Sequence, residues 1–133
     1  MKSYVLDANV LYGYLAGESK KKRVGELFKK ASRTDRPVFM SVVNWGEVAY
    51  LIWRAKGEST ARRLLADADK LPLQLEPVLR EDALAAAQLK VVHNLPYADS
   101  FAAALALREH AILVTADPHF ERVGKRLQIL WLN

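Results

Sequence analysis

The sequence predicts an α/β fold built on a parallel sheet. Short apolar runs rich in β-type residues recur along its 133 residues, and longer stretches with helical periodicity separate them. Strands that are apolar throughout are typical of parallel sheets with helices on both faces. The length, together with the lack of repeats and low-complexity segments, predicts a single domain, 1–133.

The first half of the chain predicts two strands and four helices. Apolar runs at 3–6 and 38–40 are the strands. Apolar residues at intervals of three and four predict the helices, which we expect at 10–15, 19–32, 42–55 and 59–70. Three residues mark helix ends: Gly17 closes the first helix, Ser19 opens the second and Ser41 caps the third.

The second half predicts three strands and two long helices. The strands are 73–75, 112–115 and 128–131. An alanine-rich helix is expected at 80–93 and another helix at 97–109, with a turn between them. Asp117 and Pro118 open a single helical turn before the last strand.

The net charge of +5 is concentrated in one segment. From Glu18 to Arg36 the sequence has eight basic and three acidic residues, whereas the rest of the chain is neutral. A basic face of this kind can attract polyanions such as nucleic acid. On charge alone, a solvated helix face is the simpler interpretation.

Composition excludes several kinds of site. The chain has no cysteine, which excludes disulfides, thiolate zinc sites and cysteine nucleophiles. Its longest apolar run, 101–107, is far shorter than a membrane-spanning helix, and Asp7 falls where a signal peptide would be apolar. We therefore expect a cytoplasmic protein without a membrane partner.

Four acidic residues are expected at one edge of the sheet. Asp7 directly follows the first strand, Glu47 lies on the helix after the second, Asp99 is in the first turn of the helix at 97–109, and Asp117 follows the strand at 112–115. The carboxyl ends of parallel strands meet at one edge. Four carboxylates there need shared protons or a cation, and oxygen ligands favour Mg²⁺ or Mn²⁺.

Each acid also has a purely structural interpretation. Asp7 and Asp117 can cap helices. Asp99, in the first turn of its helix, interacts favourably with the helix dipole whatever its function. Glu47 is different, because it shares a helix stripe with Val43 and Leu51, and an acid on an apolar face is seldom placed there for stability. The set of four supports a metal site more strongly than any one of them.

Four segments in order resemble the PIN-domain ribonucleases, in particular the VapC-type toxins of toxin–antitoxin pairs. They are Asp7-Ala-Asn9-Val after a strand, Ser41-Val-Val-Asn44-Trp-Gly-Glu47-Val, Tyr97-Ala-Asp99-Ser100-Phe-Ala-Ala-Ala, and Leu113-Val-Thr115-Ala-Asp117-Pro-His-Phe120. The likeness extends from Val5 to Trp131. It implies a PIN-like three-layer fold with a mainly parallel sheet of four to five short strands.

The resemblance also implies a function and a set of site residues. The function would be endoribonuclease activity that depends on one or two Mg²⁺ or Mn²⁺ ions. The catalytic and metal-binding residues would be the four acids, Asp7, Glu47, Asp99 and Asp117. Residues that order the site or the substrate would be Asn9, Ser41, Ser100 and Thr115.

Partners follow from the same resemblance. The expected partners are an RNA substrate, a cognate antitoxin protein and a second copy of the chain in a homodimer. Because the helix expected at 19–32 begins near the acids, its first basic residues are candidates for RNA binding: Lys20, Lys21, Lys22 and Arg23.

Alternative functions are weaker. A non-catalytic PIN-like module that binds RNA or a protein is the main alternative. A phosphoacceptor domain needs an aspartate where strand 73–75 ends, but Glu76 and Pro77 follow it, and haloacid-dehalogenase chemistry needs an aspartate in place of Asn9. Ser41 lacks the glycines of a serine-hydrolase elbow. His119 is expected on a solvent-exposed loop.

Overall fold

The computed structural model describes residues 2–18 and 20–132, and over that part of the chain five short strands form one sheet. The strands are β1 (Tyr4–Leu6), β2 (Val38–Ser41), β3 (Leu73–Glu76), β4 (Ile112–Thr115) and β5 (Ile129–Trp131). Their order across the sheet is β3-β2-β1-β4-β5, and every neighbouring pair is parallel. The predicted α/β class with a parallel sheet is confirmed.

Helices connect the strands. They are α1 (Ala8–Ala16), α2 (Lys21–Arg33), α3 (Val42–Lys56), α4 (Glu58–Ala68), α5 (Arg80–His93), α6 (Tyr97–Arg108) and a 3₁₀ helix (Pro118–Arg126). The predicted opening of the second helix at Ser19 lies outside the described residues. Among the described residues, no helix combines the length and apolarity needed to cross a membrane.

Two of the differences between predicted and observed helix boundaries have a local physical cause. Helix α1 starts at Ala8 rather than at 10, because the extended backbone of Asp7 lets its carbonyl accept the N–H groups of Val10 and Leu11. The 3₁₀ helix continues well past one turn, and Gly124, with φ of +82°, interrupts it. Ser41 caps α3 as predicted, its Oγ accepting the N–H of Val43.

The sheet is covered on both faces, which makes three layers. Alternate strand residues face opposite layers, so that Leu6 packs with α1 to α4 whereas Val5 packs with α5 and α6. Ile52 and Phe28 fill the first layer, and Phe120 of the 3₁₀ helix fills the second. Burial on both faces explains why the strand segments are apolar throughout.

The strand order places a crevice between β1 and β4. The chain runs from β1 through β2 to β3 on one side, and then places β4 and β5 on the other side of β1. Ligand sites of open α/β sheets lie at such a switch point, beyond the carboxyl ends of the strands. Because Leu6 pairs with Val114, the next residues, Asp7 and Thr115, lie side by side at this edge.

Candidate functional site

Asp7 is held at the sheet edge by Thr115. The Thr115 hydroxyl donates a 2.7 Å hydrogen bond to Oδ2 of Asp7, and both residues are buried. The other carboxylate oxygen of Asp7, Oδ1, is buried and has no hydrogen-bond partner among the described residues. A buried carboxylate oxygen without a partner is costly unless a proton or a cation compensates it.

Asp117 is positioned by the same hydroxyl. Its backbone N–H donates to Thr115 Oγ1 at 3.0 Å, and its own Oδ1 accepts the N–H of His119 at 2.9 Å. This second bond caps the 3₁₀ helix, as the structural interpretation of Asp117 expects. Capping uses one lone pair of Oδ1, and the partly buried carboxylate also lines the cavity that Asp7 lines.

Asp99 reaches the site from the first turn of α6. Only 8% of it is exposed, and its Oδ2 lies 4.0 Å from the ring Nδ1 of His119. Asp99, Asp117 and His119 each offer one ligand atom, and these three atoms lie within 4.8 Å of one another. That spacing allows all three atoms to contact one ion.

Glu47 is oriented by a residue one helical turn earlier. Asn44 is completely buried, and its Nδ2 donates to Glu47 Oε1 at 3.4 Å and to the carbonyl of Ala98 at 3.0 Å. Ala98 immediately precedes Asp99. The Asn44 side chain therefore bonds both to Glu47 on α3 and to the backbone next to Asp99 on α6.

The electrostatics show that the acids meet. Burial raises the pKa of Asp7 from its ordinary 3.8 to about 6; the Thr115 hydroxyl opposes the rise and the charge of Glu47 adds to it. Burial is also the main reason that the pKa of Asp99 rises to about 7, and the charge of Asp7 is the next largest contribution. The charge of Asp117 also raises the pKa values of Asp7 and Asp99.

The donor set fits a divalent cation. Burial raises the pKa values of Asp7 and Asp99, and the four carboxylates repel one another, which raises these pKa values further. One carboxylate oxygen, Asp7 Oδ1, is buried without a hydrogen-bond partner among the described residues. Oxygen-rich sites of this kind suit Mg²⁺ and Mn²⁺.

A cavity of about 350 Å³ opens beside the acids. Asp7, Asn9 and Asp117 line one part of it, and Tyr14 is among the residues that line the remainder. Its volume is in the range of pockets that hold small molecules or single side chains.

The predicted auxiliary residues fall into two groups. Thr115 bonds directly to Asp7, and exposed Asn9 lines the cavity. Ser41 and Ser100 instead bond to backbone groups of their own helices: Ser100 Oγ donates to the carbonyl of Pro96 at 3.2 Å. Among the described residues, neither serine hydroxyl bonds to a carboxylate of the site.

The basic residues at the start of α2 lie partly at the site. Lys20 lines the cavity together with Asp7, so this end of α2 borders the acids. Lys21 lies over the Tyr14 ring at 5.8 Å, and Lys22 and Arg23 are exposed.

Two side chains contact the acids although the sequence did not predict them as site residues. The sequence places His119 near Asp117 but favours a solvent-exposed loop; in the structure 43% of its side chain is exposed, while its Nδ1 is buried and lies 3.1 Å from Asp117 Oδ1. The signal was its place two residues after Asp117. Asn44 enters the sequence prediction only as part of the segment 41–48; its signal is a polar side chain three residues before Glu47, on the same helix face.

Comparison with known proteins was made on sequence and on structure. The PIN domain family model matches residues 4–126. Comparison with curated proteins gives no match. Solved structures with a similar fold include DNA-bound VapBC from Salmonella typhimurium, with 20% identity, 98% of each chain covered and a TM-score of 0.76.

Two further solved structures are similar. One is a toxin–antitoxin complex from Klebsiella pneumoniae, with 18% identity, 96% of each chain covered and a TM-score of 0.70. The other is VapC20 from Mycobacterium tuberculosis, described as a sarcin–ricin loop cleaving toxin, with 19% identity and a TM-score of 0.68; 92% of this chain and 95% of that one are covered. At these identities the structures show a shared fold. Since the family model covers nearly the whole chain and the sheet has the matching architecture, this chain belongs to the PIN domain family.

Proposed function

We propose that this protein is a metal-dependent endoribonuclease and the toxin of a VapC-type toxin–antitoxin pair. The observation that carries the proposal is the meeting of four acids from four elements at the β1–β4 crevice, with Asp7 Oδ1 buried and unpartnered among the described residues. Family membership and the similar toxin structures support the choice of substrate and partner.

Asp7, Glu47, Asp99 and Asp117 would hold one or two Mg²⁺ or Mn²⁺ ions. The bound metal would activate water and neutralise charge on the phosphodiester. Thr115 fixes Oδ2 of Asp7 and thereby leaves Oδ1 for the ion, and Asn44 fixes the carboxylate of Glu47.

Substrate binding needs a positive surface, because the acids alone repel phosphate. Lys20 borders the acid-lined cavity, and Lys21, Lys22 and Arg23 continue the positive charge along the first turn of α2. Asn9, exposed at the same cavity, offers an amide to the substrate.

A cognate antitoxin would inhibit the enzyme by occupying this groove. Clustered carboxylates beside a cavity suit an arginine or lysine side chain of such a partner. A homodimer is the expected assembly of the toxin.

The test is cleavage of RNA by the purified protein. EDTA should abolish cleavage reversibly, Mg²⁺ and Mn²⁺ should restore it, and Ca²⁺ should restore it poorly, because its looser coordination positions water less well. Asp7→Asn and Asp99→Asn should each abolish cleavage, whereas Asp67→Asn, an exposed acid on α4, should not.

Two outcomes would contradict the proposal. Undiminished cleavage after exhaustive chelation, or in both site variants, would exclude metal-dependent hydrolysis by these acids. RNA binding without cleavage in any of the three metals would instead identify a non-catalytic module.

A further inference from the structure

We propose that His119 is a nitrogen ligand of the cation held by the acids, and that it makes the site prefer Mn²⁺ over Mg²⁺. The inference rests on the proposed function for the presence of a cation. Its new content is the identity of one ligand atom and the resulting choice of metal.

The geometry fits coordination. Nδ1 of His119 lies 3.1 Å from Asp117 Oδ1 and 4.0 Å from Asp99 Oδ2. Around an octahedral ion with bonds of about 2.1 Å, neighbouring ligand atoms lie about 3 Å apart and opposite ones about 4.2 Å apart. The 3.1 Å separation matches neighbouring ligands, and the 4.0 Å separation is shorter than that of opposite ligands, so Nδ1 and each acid oxygen are close enough to contact the same ion.

The nitrogen has no hydrogen-bond partner among the described residues. Nδ1 is buried and lies 3.1 Å from Oδ1 of Asp117, the distance of an ion pair when the ring is protonated, but it forms no well-directed hydrogen bond within the part of the chain that the structure describes. A buried ring nitrogen that faces two carboxylates without bonding either one is unfavourable. A cation between the three side chains would satisfy the nitrogen and both acids together.

The backbone holds His119 in this position. Its N–H donates to Asp117 Oδ1 at 2.9 Å, within the capped first turn of the 3₁₀ helix. The histidine and its neighbouring acid are therefore presented by one rigid turn. A second unpartnered atom, Oδ1 of the 2%-exposed Asp7, belongs to a side chain that lines the same cavity as Asp117.

Nitrogen coordination has a chemical consequence. Mg²⁺ is a hard ion that favours carboxylate, carbonyl and water oxygens, whereas imidazole is a common ligand of first-row transition metals. Mn²⁺ accepts both kinds of ligand. An imidazole in the ligand set therefore strengthens Mn²⁺ binding more than Mg²⁺ binding.

The direct test is pulsed electron paramagnetic resonance of Mn²⁺ bound to the purified protein. A coordinated imidazole produces a ¹⁴N modulation in the Mn²⁺ signal, which we expect in the native protein and not in His119→Gln. His110→Gln, which alters the histidine that follows α6, is the matched control and should keep the modulation. Circular dichroism of both variants in EDTA checks that they fold.

Affinity provides a second readout. His119→Gln should weaken Mn²⁺ binding by about tenfold or more, whereas Mg²⁺ binding, measured by competition with Mn²⁺, should change much less. Mn²⁺ bound without ¹⁴N modulation in the native protein, or modulation that persists in His119→Gln, would overturn the assignment of His119 and leave the metal site intact. No Mn²⁺ binding at all would overturn the proposed function as well.

Discussion

At the scale of single residues, the Thr115 hydroxyl organises the site. It donates to Asp7 and accepts from the backbone of Asp117, so that one buried side chain sets the positions of two acids from different strands. Its hydrogen is directed to Oδ2 of Asp7, and Oδ1 is left without a partner among the described residues. The hydroxyl is therefore a positioning group.

Thr115→Val tests this role, because valine keeps the shape and removes the hydroxyl. We expect a loss of about 1–3 kcal/mol in the free energy of unfolding, since the Asp7 oxygen and the Asp117 N–H both lose a buried partner. Mn²⁺ affinity at neutral pH should fall too, because the hydroxyl, more than the backbone of Asn9, opposes the rise in the Asp7 pKa. Denaturant titration in EDTA and Mn²⁺ titration measure the two effects.

Thr115→Ser is the matched control, because it retains the hydroxyl. It should keep most of the Mn²⁺ affinity. If Val and Ser variants bound Mn²⁺ equally well, the hydroxyl would have no part in positioning the acids.

Asp99 makes the stability of the metal-free protein depend on pH. Burial first, and then neighbouring charges, raise its pKa to about 7 in the folded protein, against 3.8 ordinarily. Between these values the folded state keeps a proton that the unfolded chain has released, so stability falls as pH rises through this window. The raised pKa of Asp7 likewise lowers the stability of the metal-free protein as pH rises.

Asp99→Asn should therefore raise the free energy of unfolding in EDTA at about pH 8 by an amount on the order of 1 kcal/mol or more, and raise it less at about pH 5.5. Asp82 is the control: it is also in a first helical turn, but its pKa is lowered, chiefly by the hydrogen bond from the Leu79 N–H. Asp82→Asn should lower stability at about pH 8. A loss of stability in Asp99→Asn at both pH values would mean that Asp99 serves mainly the helix dipole.

At the scale of elements, α2 has two distinct faces. Val24, Phe28 and Ala31 are buried against the core, and the basic residues lie on the exposed side. Lys20, directly before the helix, borders the acid-lined cavity, whereas Arg33 at the far end is about 18 Å further along the axis. The basic N-terminal end of α2 therefore lies near the acids, where it can bind an RNA phosphate.

Replacing Lys20, Lys21 and Lys22 together by serine should weaken RNA binding without regard to sequence. The log–log dependence of affinity on salt should flatten by roughly 0.7 for each lost phosphate contact on single-stranded RNA. The measurement is a salt titration of RNA binding in an Asp99→Asn background.

The matched control removes the same charge from the other end of α2. Serine at Lys29, Lys30 and Arg33 should leave the slope nearly unchanged. Equal effects of the two triple variants would show that only net charge matters. No effect of either would make the basic side an ordinary solvated face.

At the scale of the whole molecule, one helix has an exposed apolar face. On α5, Leu84, Val91 and Val92 are 73%, 83% and 64% exposed, and Leu84 and Val91 lie on one side of the helix. The exposed rings of Tyr50 and Trp53 differ, because Arg54 and Arg62 lie over them at 5.6 and 5.4 Å. Exposed apolar side chains that share one helix face, without cations over them, are the candidate for an interface.

We expect the homodimer to bury this face of α5. Leu84→Lys combined with Val91→Lys should convert a dimer to a monomer in light scattering, with little change in unfolding free energy per chain. Trp53→Ala is the control and should remain dimeric. A double variant that stayed dimeric would place the interface elsewhere.

Local signals explain how well the elements were predicted. The sequence predicts β4 and α5 with the observed ends, because apolar periodicity and the breaker residues next to them act over a few neighbours. The predicted start of α1 is two residues late, because apolar periodicity first shows at Val10, whereas the helix begins directly after the extended Asp7. The single turn after Asp117 was too short, because a 3₁₀ segment has no strong periodic pattern.

The sequence alone determined that the acids would approach one edge of a parallel sheet. Two of the acids directly follow strands and the other two lie in the first half of a helix, and the carboxyl ends of parallel strands all lie at the same edge. Only the tertiary structure decided which side chains face the point where the acids meet. His119 and Asn44 do so, whereas Ser41 and Ser100 bond to backbone of their own helices. The direction in which each of these side chains points depends on how helices from distant parts of the chain pack against the sheet. No local sequence pattern predicts that packing.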